Sequence, residues 1–390
     1  METTCVQYWN RFCPTIFGTG ALGELVTKAK EFKMHKILFV TEKALMDLKV
    51  SSPIKELLEN AGFEVVVFDD IIADPNNHLV TQGAALAKET GIDGIVAVGG
   101  GSSMDCAKGI AMMTKNEGTI EDYYVPVYPP DPDRVKKGFP LITIPTTAGT
   151  GSEVTASAVI TDEKTHFKST IFSYYNLPKF AILDPELIMT APAHIAAACG
   201  VDALIHAMEA YLSNNANPFS DCFAEKAMEL IGANLRRFVA NRHDEKAACA
   251  MMVGSNFAGI AFAWARLGNI HALSHPVSGF FGVAHGVANS VLMPAVMEYN
   301  ALADIGRYEK IYNYVSVDKE PVKDFKPQML VDLVTELNKE LGIPENLRAV
   351  GVTEDKIHAM AVDAMKSGNI PANPRETTLD DVIALYHKAY

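Results

Sequence analysis

Cysteine pairing is the first thing this chain does without. Its six cysteines, Cys5, Cys13, Cys106, Cys199, Cys222 and Cys249, form no C-x-x-C pair and follow no framework spacing. That excludes a stapled secreted scaffold and a thiolate metal ribbon, and leaves reduced thiols of a cytoplasmic protein as the expectation. Basic runs are missing as well. With 34 Lys and Arg against 47 Asp and Glu, the formal charge is -13, so neither a nucleic acid nor an anionic membrane is expected as a partner. The stretch from Met1 to Arg11 has no basic start and no apolar segment of the export type, so no signal peptide is expected. The longest apolar runs are interrupted by Gly, Asn or charge, so no membrane span is expected either.

What is present is the composition of a large globular chain. Residues number 390, of which 48% are hydrophobic and 21% charged, enough for a sizeable core and too many for a single ordinary domain. The first half alternates two patterns. Lys36–Thr41, Phe63–Asp69 and Gly94–Val98 are short apolar runs suited to buried parallel strands; Pro53–Asn60 and Asn76–Thr90 have helical spacing and end at Gly62 and Gly91. Alternating strands and helices predict a doubly wound parallel sheet. Thr155–Thr161 and Phe167–Ser173 resemble a pair of strands, and Tyr123–Pro140 is a proline-rich surface excursion. Beyond Asp184 the strand signal fades. Helical patterns over Asp221–Phe238, Glu245–Ala265 and Lys326–Leu341 dominate, and the tail ends in a loop and a docking helix. The expected fold is therefore an α/β N-terminal dinucleotide-binding domain with a parallel sheet, over 1–188, followed by an all-helical domain over 189–390, with the reaction in a cleft between them.

Two loops in the first half carry chemistry. Gly99-Gly-Gly-Ser-Ser-Met-Asp105 follows a strand and opens a helix, where glycine lets amides approach a phosphate and the helix dipole favours its charge; a tight turn is the alternative. Pro145-Thr-Thr-Ala-Gly-Thr-Gly-Ser-Glu153 follows the strand Leu141–Ile144. Two such loops at carboxyl ends of parallel strands mark where open α/β sheets bind nucleotides. Glu42, just past the strand ending at Thr41, can accept hydrogen bonds from an adenosine ribose and repel a 2'-phosphate, or serve as a helix-start acid.

The second half supplies imidazoles. His271, His275 and His285 lie in one short, otherwise apolar stretch, and Asp202 and His206 stand at i and i+4, on one face of a helix. Three imidazoles with one carboxylate suit a borderline-soft divalent ion that keeps room for an exogenous oxygen.

Taken together, Gly-Gly-Gly-Ser at 99–102 with Asp105, the Pro-Thr-Thr-Ala-Gly-Thr-Gly-Ser-Glu loop, Gly-Val-Asp-Ala-Leu-Ile-His at 200–206, and His-Ala-Leu-Ser-His-Pro with Ala-His-Gly-Val-Ala-Asn resemble the iron-containing (group III) alcohol dehydrogenase family, in its motif order. The resemblance covers nearly the whole chain. It implies Asp202, His206, His271 and His285 as metal ligands, with Fe2+ the ion and Zn2+ or another divalent metal the alternative. His275 then stands near the nicotinamide as a catalytic proton relay or a packing residue. Gly99, Gly100, Ser102, Asp105, Thr146, Thr147 and Ser152 are implied to face the cofactor, with Lys168 near the nicotinamide ribose. Glu42 is a near match to the family's cofactor-selecting Asp, which favours NAD over NADP. Two positions depart from the family pattern: Trp264, where Asn is usual, and Asn269, where the family has an apolar residue or Gly.

The implied activity is metal-dependent NAD(H) oxidation of a small primary alcohol or diol, or reduction of the aldehyde, with a short polar or anionic-tailed substrate. A homodimer or larger homo-oligomer is implied, with Arg11–Gly23 as a pairing strand. Two rivals share these features in part: a dehydroquinate-synthase-like lyase, which would need a cluster of Lys and Arg that is not evident, and a non-catalytic metal-binding protein, which leaves the nucleotide loops without a use. For the substrate pocket, a straight helix would put Trp264 on the face of His271 and Phe262 on the opposite one. Both line the pocket only if the helix breaks near Gly268, and Asn269 is expected to make the far end polar.

Overall fold

The structure, a computed structural model, describes residues 12–125, 135–165, 167–316 and 322–390. The chain divides into two compact units. One runs to Thr147 and includes Ser152–Ala191; the other comprises Pro192–Tyr390 together with Ala148–Gly151.

In the α/β unit, β1 (Thr15–Phe17), α1 (Leu25–Glu31), β2 (Lys36–Val40), α2 (Lys43–Asp47), α3 (Ser52–Asn60), β3 (Glu64–Phe68), α4 (Asn77–Thr90), β4 (Gly94–Gly99), α5 (Gly101–Met113), β5 (Leu141–Pro145), β6 (Ser157–Thr161), β7 (Lys168–Phe172), β8 (Phe180–Leu183) and α6 (Pro185–Ile188) follow in order. Six strands form one sheet in the order β1-β8-β5-β4-β2-β3, with every pairing parallel. β6 and β7 form a separate antiparallel hairpin.

Burial on both faces explains the unbroken apolar strands. Leu38 and Val40 of β2 face a core shared with Val80 and Ile110, whereas Ile37 and Phe39, one residue out of phase, face a second core with Leu25, Ile54 and Leu58. Helix boundaries follow local chemistry. The Asn76 side chain accepts the Leu79 amide at the start of α4, and Gly91 ends it in the left-handed conformation.

Three local expectations change. Phe180–Leu183 is a central strand of only four residues, too short for periodicity to separate from a loop. Thr15–Phe17 pairs with it inside the same sheet, and Arg11 lies outside the described residues. The proline-rich excursion is not wholly superficial either, since Val135 is buried and Phe139 packs against the core beside it; residues 126–134 lie outside the described residues.

The second unit is helical. It contains α7 (Ala193–Leu212), α8 (Pro218–Ala240), α9 (Glu245–Ala265), α10 (Asn269–Phe281), α11 (His285–Asn300), α12 (Arg307–Val315), α13 (Pro327–Glu340), α14 (Ile357–Ala364) and α15 (Leu379–Ala389). Among the described residues, α7 and α9 are long and apolar enough to cross a membrane by length and composition only. The apolar window of α7 is 89% buried within the protein, because this helix is hydrophobic all round and forms the centre of the unit. Pro276 and Pro294 lie inside α10 and α11. The last helix docks through Tyr386, whose hydroxyl donates to the Leu273 carbonyl at 2.6 Å in the interior.

Candidate metal centre and nucleotide loops

α7 brings Asp202 and His206 onto one face, and the starts of α10 and α11 bring His271 and His285 to them. One donor atom from each of these four residues lies within 4.8 Å of the other three. Asp202, His206 and His271 are buried and His285 is partly open. The approach of α11 depends on Gly286, where a Cβ would lie 2.5 Å from the Ala198 carbonyl oxygen of α7. A side chain there would push His285 away from Asp202.

Neighbouring groups orient the imidazoles. His206 donates from Nδ1 to the Gly149 carbonyl at 3.2 Å, and His271 donates from Nδ1 to Glu209 at 2.6 Å; in both rings Nε2 is left as the nitrogen with the lone pair. The rings of His206 and His271 lie 4.4 Å apart, those of His271 and His285 5.3 Å. Asn289, fully buried one turn beyond His285, donates to Asp202 Oδ1 at 2.6 Å and sits 3.0 and 3.1 Å from Nε2 of His271 and His285. Its own Oδ1 is buried with no hydrogen-bond partner.

Two carboxylates, Asp202 and Glu209, are buried among these imidazoles. Burial would raise the Asp202 carboxyl, but His206 and His285, with His271, hold it well below the usual carboxylate range. Burial pushes His206 down to about 4. Burial also opposes charge on His271, yet its hydrogen bonds to Asp202 and Glu209 push it up to about 9. A proton on His271 or a cation offsets the two carboxylates. Nitrogen and oxygen donors at this spacing fit a divalent metal ion.

His275 is not one of the four. Half-buried one turn beyond His271, its ring lies 5.4 Å from that of His285 and 6.5 Å from that of His271.

In the α/β unit the two glycine-rich loops lie side by side: the Thr146 amide donates to the Gly99 carbonyl at 3.0 Å. Gly100 caps α5 with no side-chain hydrogen bond to the helix, and Ser102 stands in the first turn, half-buried. Thr147 lies against Gly100. Glu42 precedes α2 but makes no capping bond to it. Its carboxylate turns instead to the first loop, accepting from Ser103 at 3.3 Å, and burial raises its pKa against the hydrogen bonds from Ser103 and Gly100.

Asp105 and Ser152 are used internally. Ser152, buried, donates to Asp105 Oδ1 at 2.5 Å and accepts from Lys108 at 2.8 Å, while Asp105 Oδ2 accepts the Val159 amide. They brace the second loop. Lys108, which the sequence did not single out, is fully buried at the centre of this brace and also donates to Thr155 and the Ser157 carbonyl. Lys168 on β7 is buried in an ion pair with Asp74 at 2.6 Å.

Residues 14–185 match the model of the iron-containing alcohol dehydrogenases, and residues 196–390 match that of the C-terminal part of the Fe-containing alcohol dehydrogenase family. The chain belongs to the iron-containing alcohol dehydrogenase family. Among its relatives, a 1,3-propanediol dehydrogenase of Citrobacter freundii is 37% identical over 379 residues, covering 96% of both chains. An NAD-dependent methanol dehydrogenase of Bacillus methanolicus is 35% identical over 384 residues, covering 97% of this chain and 99% of its own. The crystal structure of a 1,3-propanediol oxidoreductase superposes with a TM-score of 0.92 at 35% identity, covering 98% of this chain and 100% of that one. The protein is thus an oxidoreductase of the alcohol dehydrogenase class, and neither the lyase nor the non-catalytic alternative is favoured.

Within this dehydrogenase the break near Gly268, on which the placing of both Phe262 and Trp264 depends, is present. α9 ends at Ala265, Arg266 takes φ +65°, and α10 starts only at Asn269, so no straight helix joins Trp264 to His271. The ring on the donor set is Phe262, stacked on His206 at 4.7 Å, whereas Trp264 packs edge-on against Phe219 at 6.0 Å. Asn269 is fully buried, its side chain donating to Thr377 at 2.9 Å and its amide to Asn373. As the first residue after the break it ties the helix start to the tail. It does not make a polar pocket wall.

Sequence reasoning also passed over Glu209 and Asn289. Glu209 stands three residues after His206 and seven after Asp202, so the helical face that found the ligands would have found it too. Asn289, four after His285, carries the same signal.

Proposed function

We propose that Asp202, His206, His271 and His285 hold a divalent cation, and that this dehydrogenase interconverts small primary alcohols or diols of about two to four carbons with their aldehydes, using NAD(H). The observation that carries the reading is the convergence of these four donors within 4.8 Å in a chain of this family. Iron is the ion proposed for the cell. Zinc, which competes well for such ligands, is the alternative.

When bound, the cation supplies Lewis acidity toward the substrate oxygen and the nicotinamide carries the hydride. The chain's own groups do the rest. Amides of the Gly99–Gly100 loop and the start of α5 bind the pyrophosphate, with Ser102, Thr146 and Thr147 beside them, while Asp105, Lys108 and Ser152 hold the second loop in shape. Glu42 accepts from the ribose hydroxyls and disfavours a 2'-phosphate. Lys168 is the proposed neighbour of the nicotinamide ribose. His275 relays the alcohol proton, since it stands beside the donor set without being one of the four. Phe262 limits substrate width through its stack on His206. The cysteines Cys13, Cys106 and Cys222, which are not in disulfides, support a cytoplasmic setting, and the edge position of β1 supports assembly into a homodimer or larger oligomer.

A panel of alcohols and aldehydes from two to ten carbons, assayed with NAD(H) and NADP(H) on metal-stripped protein reloaded with iron or zinc, tests this. Turnover of three-carbon substrates with NAD(H), only after reloading, is the expected result. A preference for long-chain alcohols, or full activity without metal, contradicts it.

A further inference from the structure

We infer that Glu209 is a positioning residue of the metal centre, fixing the ring of His271 and the first turn of α10 with one carboxylate. This rests on the reading of His271 as a ligand. Glu209 is on the same face of α7 as Asp202 and His206, and it is only 5% exposed. One oxygen accepts the Ile270 amide at 2.7 Å and the other accepts His271 Nδ1–H at 2.6 Å. The first bond serves an amide that the helix start leaves without an intrahelical partner. The second holds His271 in the tautomer whose Nε2 faces Asp202 and His285, and a carboxylate partner raises the basicity of a ligating imidazole.

The break between α9 and α10 is what admits this carboxylate. Gly268 caps α10 and has no side chain with which to do so. A Cβ there would lie 3.0 Å from Glu209 Oε1 and equally close to Asn373 Oδ1. The glycine leaves the space, and Glu209, reaching across from α7, supplies the missing acceptor. The helix carrying His271 is therefore aimed from the helix carrying Asp202 and His206, and one side chain sets His271 relative to those two residues.

Glu209→Gln separates positioning from mere packing. Its shape is nearly unchanged and its amide oxygen can still accept the Ile270 N–H, but its NH2 would face Nδ1 of His271 and favour the wrong tautomer. The full-length protein is to be titrated with zinc against a chelator, its cobalt form examined by visible absorption, and the downfield Nδ1–H resonance of His271 followed in the zinc-loaded state. The inference predicts that Glu209→Gln weakens zinc binding by about 10- to 100-fold, alters the cobalt spectrum and loses the resonance, while the metal-free melting temperature stays close to wild type. Glu209→Ala should lower both affinity and melting temperature. Wild-type affinity and spectrum in Glu209→Gln, with metal lost from His271→Ala, overturn the role of Glu209 alone. Metal retained in His271→Ala overturns the ligand reading and this inference together.

Discussion

Phe262 lies over the ring of His206, with centroids 4.7 Å apart and planes inclined by 25°. An aromatic face against a buried imidazole restricts what else can approach that side of the donor set. Phe262→Ala should therefore broaden the substrate range. Relative kcat/KM should shift toward branched or longer alcohols by about 1–3 kcal/mol, the scale on which a filled apolar pocket discriminates. Competition between propanol and a branched alcohol measures it, and an unchanged preference would remove Phe262 from the pocket. Trp264→Ala should change the preference less, because its ring packs on Phe219.

That reversal between Phe262 and Trp264 shows where sequence reasoning stops. Parallel strands buried on both faces, such as Lys36–Val40, announce themselves as apolar runs, and Asp202 with His206 is legible because i and i+4 share a helical face. Both depend on local periodicity. The break at Arg266–Gly268, which a glycine made conceivable, turns the chain out of that periodicity, and the straight-helix count that put Trp264 on the face of His271 does not apply across it. Asn269 was hidden for a related reason: its partners Thr377 and Asn373 are more than a hundred residues away. Asp105 closes the first glycine-rich stretch and Ser152 lies in the second, and both patterns imply a ligand, but the buried Lys108 that engages them gives no motif of its own.

Glu42 turns toward the first glycine loop and leaves α2 uncapped. A residue acting only on the helix dipole would have no reason to do so. Glu42→Gly should relax cofactor choice toward NADP, lowering the NAD/NADP ratio of kcat/KM by about tenfold, or roughly 1.4 kcal/mol. An unchanged ratio would leave Glu42 a purely structural acid.

Tyr386 tests the docking of the last helix. Its hydroxyl donates to the Leu273 carbonyl, between His271 and His275 in sequence, and the residue is fully buried. Tyr386→Phe removes the donor and leaves that buried carbonyl short of it, at a cost of about 1–2 kcal/mol. Urea unfolding should show the loss as a lower midpoint with unchanged slope. A midpoint equal to wild type would mean that the hydroxyl adds nothing to docking.

Asp93, at the entry to β4, accepts the amides of His35 and Lys36 at 2.8 and 3.0 Å and pairs with the His35 ring. Burial alone would raise its pKa, but these hydrogen bonds hold it below the ordinary carboxylate value. A group with a depressed folded pKa stabilises above its unfolded value, about 3.9 for Asp. That contribution disappears as pH falls through the lower folded value. The stability difference between wild type and Asp93→Asn should therefore be largest near neutrality and shrink below about pH 4. A difference independent of pH would rule out the charge as its source.

The metal content of zinc-reconstituted His271→Ala, measured beside wild type with circular dichroism as the check on folding, bears most directly on the proposed centre. His271 touches Asp202, Glu209, Asn289 and His285 at once, and removing it breaks the donor set at its middle. Zinc bound by the wild type and lost, together with alcohol oxidation, from a folded His271→Ala protein is the predicted result; full zinc occupancy in that variant would contradict it.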